Sequence, residues 1–199
     1  KQVDAVMIGA RPNKGLFDII PIWKRVCELR PKTKLVVMGG MSGEAEVASE
    51  AKKLNLPITF FKPDNGFLSA KDYYAKIKNA RVLFAPSHEE GWGIAVCEAM
   101  AAGLPVIAYD LPAYRKIYSD SYKAIKCFNH EMFAKAIIDI LDNTSVHPES
   151  YESAKKLLKV FKTTKKIKDA TVTDLMQVKG INKELAEKIY NYYNGEEND

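Results

Sequence analysis

From Val3 to about Asn143, short apolar runs alternate with longer amphipathic stretches. Six runs read as strands: 3-VDAVMIG-9, 34-KLVVMG-39, 58-ITFF-61, 81-RVLFAP-86, 105-PVIAY-109 and 122-YKAIKCF-128. They are nearly continuous in apolar residues and rich in β-branched side chains, as strands buried on both faces are. In the first amphipathic stretch Leu16, Ile19, Ile20, Trp23, Val26 and Cys27 fall on one helical face. Pro21 lies inside it, so either the helix begins there or the pattern carries a kink. Further helices are expected at about 43–54, 70–79, 94–102 and 130–142. This alternation predicts an α/β fold with a doubly wound parallel sheet. Such sheets bind ligands at the carboxyl ends of their strands.

The pattern changes after Asn143. Asn143, Thr144, Ser145 and Pro148 make a break, and a helix is expected from about Glu149 to Phe161. Lys155, Lys156, Lys159, Lys162, Lys165, Lys166 and Lys168 follow one another with no acidic residue between Ser153 and Lys168. The stretch 171-TVTDLMQVKGINKELAEKIYNYY-193 reads as two helices around a tight turn at Gly180. The expected organisation is a Rossmann-like domain over 1–161, a small all-helical appendage over 162–194 and a disordered acidic end at 195–199.

Composition narrows the function classes without choosing one. The 199 residues suffice for one packed domain and an appendage, and 47% hydrophobic with 28% charged residues is ordinary for a globular chain. A formal charge of +5 permits anionic ligands or nucleic acid but does not demand them. Cys27, Cys97 and Cys127 are widely spaced in apolar runs, which reads as reduced core thiols of a cytoplasmic protein. No apolar run has the length of a membrane span and no signal peptide is visible. The start at Lys1, almost directly on a strand pattern, reads as a piece of a longer polypeptide.

Four loops meet at the expected ligand edge. In 9-GARPNKG-15, Gly9 and Gly15 let the backbone turn, and Arg11 and Lys14 offer cations suited to a phosphate or diphosphate. A solvated basic turn is the alternative, and the loop is not a Walker A motif. The glycine-rich turn 39-GGMSGE-44 lacks the dinucleotide-fingerprint spacing; helix–sheet packing explains it as well as ligand approach does. In 61-FKPDNGFLS-69, Phe61 and Lys62 either border a nucleobase or belong to a plain loop. The most specific loop is 86-PSHEEGWGIAVCEAMAAGLPVIAYD-110. Glu90 stands just before Gly91-Trp92-Gly93, where glycines allow close approach of a polar ligand and a helix start favours phosphate. Glu98 lies two turns on, as an acceptor for a vicinal diol such as a ribose.

The segment 86-PSHEEGWGIAVCEAMAAGLPVIA-108 resembles the Glu-x7-Glu signature of the retaining GT-B glycosyltransferases of family 4. The likeness continues in 8-IGARPNKG-15 and 34-KLVVMGG-40 and covers roughly residues 3–161. This is the carboxy-terminal, nucleotide-sugar-binding half of that two-domain fold. The resemblance implies a catalytic set of Glu90, Lys14 and Arg11. Glu90 would hold the donor sugar, while Lys14 and Arg11 would neutralise the diphosphate leaving group. It further implies that Gly15 and the backbone of Gly91, Trp92 and Gly93 line the sugar and phosphates, and that Glu98 takes the ribose hydroxyls. Arg11 stands closer to Lys14 than the family's arginine does, so Lys14 is the firmer assignment. The implied donor is a nucleoside diphosphate sugar with no separate cofactor and no metal. The amino-terminal domain that shapes the acceptor site is expected to be missing. Membrane-surface contact is expected only for a lipid acceptor.

The tail, 157-LLKVFKTTKKIKDATVTDLMQVKGINKELAEKIYNYY-193, resembles the helix-hairpin-helix tail at the carboxy terminus of an excinuclease. The resemblance implies a DNA-phosphate contact at Gly180, Ile181, Asn182 and Lys183, through backbone N–H groups and without base readout. A helical cap with a solvated lysine face accounts for the same residues. The rival functional class is therefore a non-enzymatic protein that docks on DNA through this tail.

Overall fold

A computed structural model of the chain describes residues 3–40, 43–61, 69–118, 121–143 and 169–177, together with 183, 186, 187 and 190. Six strands form one sheet: β1 (Val3–Ala10), β2 (Leu35–Gly40), β3 (Ile58–Phe61), β4 (Ala80–Ala85), β5 (Val106–Tyr109) and β6 (Lys123–Ile125). Their spatial order is β3-β2-β1-β4-β5-β6, and every neighbouring pair is parallel. The chain therefore winds outward from β1 in one direction and from β4 in the other. The crevice between these two strands is the topological switch point.

The helices are α1 (Ile19–Leu29), α2 (Glu44–Lys53), α3 (Ala70–Asn79), α4 (Ile94–Ala101), α5 (Pro112–Tyr118) and α6 (His130–Asp142). With this strand order, the right-handed crossovers that parallel strands adopt put α1 and α2 on one face and α3 and α4 on the other. The last helix, α6, returns to pack against α1. Pro21 is the third residue of α1, where no intrahelical N–H bond is lost, so the helix carries it without breaking. Two 3-10 turns, Pro12–Lys14 and Leu16–Asp18, precede that helix.

The core binds these layers together. Trp23 is fully buried and donates Nε1–H to the Thr33 carbonyl at 3.1 Å. Phe84 of β4 lies edge-on between Trp23 and Phe133, joining the sheet to α1 and α6. Cys97 is buried in the core, which pushes its thiol up to about 12 and keeps it protonated; the three cysteines are free.

Two expectations are corrected. The last strand ends at Ile125, short of Phe128, because Phe128 turns into the left-handed region (φ 62°) and Asn129 then caps α6. The helix α5 was not expected: seven residues are too few for periodicity to show. In the tail, the helix Val172–Met176 opens with a capping box between Thr171 and Asp174. The expected helix at 149–161, the lysine run to Lys168 and the turn at Gly180 lie outside the described residues.

Candidate functional site

The loops after β1 and β4 are fastened together before any ligand enters. The His88 backbone N–H donates to the Asn13 carbonyl at 2.9 Å. Gly15 has φ +79°, and a Cβ built there would lie 2.0 Å from the Pro86 carbonyl oxygen. Glycine at this position serves close packing between the two loops. Asp18, at the start of α1, is buried and gathers side chains from three further elements. It pairs with the His88 ring, lies 2.7 Å from His130 Nε2, and accepts from the Tyr109 hydroxyl at 3.2 Å.

This bracing brings Lys14 against Glu90, with Nζ 2.5 Å from Oε1. Their side chains are only 20% and 12% exposed. Ser87 donates Oγ–H to the same Glu90 oxygen at 3.1 Å. Lys14, Ser87, Glu90 and Tyr114 line a crevice with Met7 of β1 and Val96 of α4. Arg11 is exposed, and among the described residues it enters no ion pair with Glu90.

The glycine-framed tryptophan divides into parts with different work. Gly91 is exposed, and nothing lies within 4 Å of a Cβ built there. The Trp92 ring is buried in the core, while the Trp92 and Gly93 carbonyls accept from the Tyr118 hydroxyl at 2.8 and 3.0 Å. Gly93 caps α4 at φ +71°, and an added Cβ would strike the Tyr114 ring at 2.5 Å. These contacts fix the start of α4 and leave Gly91 as the open position of the three.

Glu98, on α4, is held from α3. The Tyr73 hydroxyl donates to Oε2 at 2.6 Å and the Tyr74 hydroxyl to Oε1 at 3.1 Å. Burial raises the Glu98 pKa above its ordinary 4.5, and the two tyrosine donors act against that rise. Burial, then the Glu98 charge, pushes the Tyr74 hydroxyl up to about 12 and Tyr73 further, so both remain donors. Phe61 ends β3 with its ring covered by Lys76, whose Nζ is 3.6 Å from the ring centre. Lys62 lies outside the described residues, as do Gly180, Ile181 and Asn182. Lys183 is described and lies 3.8 Å from Glu187, one helical turn on.

Ser87, Tyr114, the Tyr73–Tyr74 pair and the Asp18 cluster were not singled out in the sequence. Of these, Ser87 and the cluster's His88, inside the motif after β4, carried a local signal. Among the described residues no group of His, Cys, Asp and Glu side chains is placed to hold a metal ion.

The family model described as glycosyl transferases group 1 matches residues 3–167. The chain belongs to this family. A second model, the helix-hairpin-helix motif, matches residues 151–199. Among similar proteins is the phosphatidyl-myo-inositol mannosyltransferase of Mycobacterium leprae. It is 30% identical over 146 residues, which are 72% of this chain and 37% of the relative. A Staphylococcus aureus TarM mutant, solved with fondaparinux, alpha-GlcNAc-glycerol and UDP, superposes with a TM-score of 0.67 at 19% identity. That match covers 98% of this chain and 36% of TarM. The C-terminal domain of a group 1 glycosyl transferase (LpcC) from Francisella tularensis gives a TM-score of 0.63 at 19% identity. It covers 81% of this chain and 87% of that domain. The chain spans about a fifth to two fifths of the length of the curated relatives it matches. The sheet thus has the Rossmann-like fold of these GT-B glycosyltransferase structures.

Proposed function

We propose that this glycosyl transferases group 1 domain binds a nucleoside diphosphate sugar at the carboxyl ends of β1 and β4. On this reading it is the donor half of a retaining glycosyltransferase that moves a hexosyl group to an acceptor hydroxyl. The observation that carries the reading is the meeting of Lys14 and Glu90 across the switch point. One group suits a diphosphate and the other a sugar hydroxyl, and their meeting at the switch point supports a nucleotide sugar as the ligand. The UDP in the TarM structure and the mannosyl transfer named for the mycobacterial relative support the same class.

The chemistry then divides by residue. Departure of the diphosphate leaves positive charge on the sugar, and Lys14, with Arg11 beside it, stabilises the negative leaving group. Glu90 positions sugar hydroxyls and Glu98 accepts from the ribose diol. The acceptor hydroxyl arrives on the leaving-group face, so the two carboxylates bind and orient and neither forms a covalent intermediate. Because an acceptor must be held in near-attack geometry, the 199 residues alone are expected to bind donor and to transfer it poorly. Calorimetric titration with UDP-, GDP- and ADP-glucose tests this. One nucleotide series should bind, and Glu98→Ala should weaken it roughly tenfold or more. Equal binding by Glu98→Ala would remove Glu98 from the site.

The helix-hairpin-helix match over 151–199 favours a second reading, in which the tail docks on DNA phosphates. That reading requires binding that falls steeply with salt and weakens in Lys183→Ala.

A further inference from the structure

Tyr114 is a buried side chain of the crevice that the donor reading has not used. Its ring is 1% exposed and lies under Gly93, so tightly that a Cβ on that glycine would overlap it. Its hydroxyl sits beside Ser87 and Glu90 yet makes no hydrogen bond of acceptable geometry to either. Ser87 and Lys14 instead both converge on Glu90 Oε1. A buried hydroxyl without a partner is costly, and proteins keep one where a ligand or water completes it.

The fold gives Tyr114 little freedom to find another partner. Tyr118, one turn on in α5, is tied to the Trp92 and Gly93 carbonyls, which fixes the helix against the start of α4. The ring of Tyr114 is further enclosed by Tyr118 and Tyr122, with centroids 5.9 and 5.7 Å away. The hydroxyl therefore faces the crevice by construction. Burial first, and the Glu90 charge next, hold it well above its ordinary range, so it faces the crevice as a proton donor.

We infer that Tyr114 is a further donor-binding residue, whose hydroxyl donates a hydrogen bond to a hydroxyl oxygen of the bound sugar. The inference rests on the donor reading and deepens it. The sugar enters between Glu90, which accepts, and Tyr114, which donates. Such a pair favours a hydroxyl that both gives and takes a bond, and so selects among sugars by one hydroxyl position. A diphosphate without its sugar gains nothing from Tyr114.

The full 199-residue chain is titrated as wild type, Tyr114→Phe and Glu90→Gln, with UDP-, GDP- and ADP-glucose and with the three diphosphates. For the base that binds, Tyr114→Phe is expected to weaken the nucleotide sugar about three- to tenfold and to leave the diphosphate unchanged. Its thermal midpoint should stay level or rise, since an unsatisfied hydroxyl has been removed. Equal sugar-nucleotide affinity in wild type and Tyr114→Phe would overturn the inference while a loss in Glu90→Gln upheld the donor reading. A lowered thermal midpoint in Tyr114→Phe would make the hydroxyl a structural anchor and overturn it as well. Wild type that binds none of the six compounds would sink the donor reading and this inference with it.

Discussion

Lys14 and Glu90, from loops on either side of the switch point, hold each other with Nζ 2.5 Å from Oε1. Each is therefore paired with the other, and on the donor reading a nucleotide sugar must part them. On that reading Glu90→Gln frees the lysine for phosphate while removing the sugar's charged acceptor. The two consequences have opposite signs. Inorganic pyrophosphate should bind about two- to fivefold more tightly to Glu90→Gln, the equivalent of roughly 0.5–1 kcal/mol for a partly exposed pair. The nucleotide sugar should bind less tightly. Parallel weakening of both ligands in titration would show that the pair is not an internal competitor.

The glycines of the two loops separate packing from ligand approach. Gly15→Ala places a Cβ against the Pro86 carbonyl at a positive φ, and should cost about 2–3 kcal/mol in chemical denaturation. Gly91→Ala meets nothing within 4 Å and should leave stability within about 0.5 kcal/mol of wild type. A loss of nucleotide-sugar binding in Gly91→Ala would then belong to the ligand. If Gly91→Ala unfolds as readily as Gly15→Ala, Gly91 serves packing and not ligand approach.

Asp18 connects α1 to the loop after β4, the end of β5 and the start of α6, through His88, Tyr109 and His130. Asp18→Asn keeps the size but turns one acceptor oxygen into a donor facing an imidazole. Loss of about 2 kcal/mol is expected, a fall of roughly 4–8 °C in thermal midpoint. Because the node also sets His88 against Asn13, pyrophosphate binding should weaken along with stability. Full retention of both would remove the node as the brace of the two loops.

The parts legible in the sequence were those that local pattern encodes. The six strands declared themselves as short apolar runs, most plainly β5, whose four residues are all buried, and Glu90 and Glu98 stood out against a glycine-framed helix start. The Asp18 node was invisible because its partners lie 70, 91 and 112 residues away. Only the closing of the sheet brings them together. Tyr73 and Tyr74 carried no signal for the same reason: nothing in their own helix points to Glu98, 25 and 24 residues on. The turn at Gly15 was legible, and its φ of +79° agrees with it, but the close approach was not, since the Pro86 carbonyl it admits belongs to another strand's loop.

Burial, opposed by Tyr73 and Tyr74, gives Glu98 a pH dependence whose two effects run against each other. Burial raises the carboxyl above 4.5, so the folded chain binds this proton more tightly than the unfolded chain does. The group's contribution to stability therefore falls as pH rises through the window between 4.5 and the raised value, and is recovered on acidification. On the donor reading ligand binding follows the opposite course, because only the ionised carboxylate is a strong acceptor for a ribose diol. Tyr73→Phe removes a donor that favours ionisation, which moves the window upward. Nucleotide affinity measured from neutral pH downward should thus decline at a higher pH in Tyr73→Phe than in wild type, and Glu98→Gln should be flat over the same range. A midpoint shared by wild type, Tyr73→Phe and Tyr74→Phe would mean that the tyrosines do not govern the charge of Glu98.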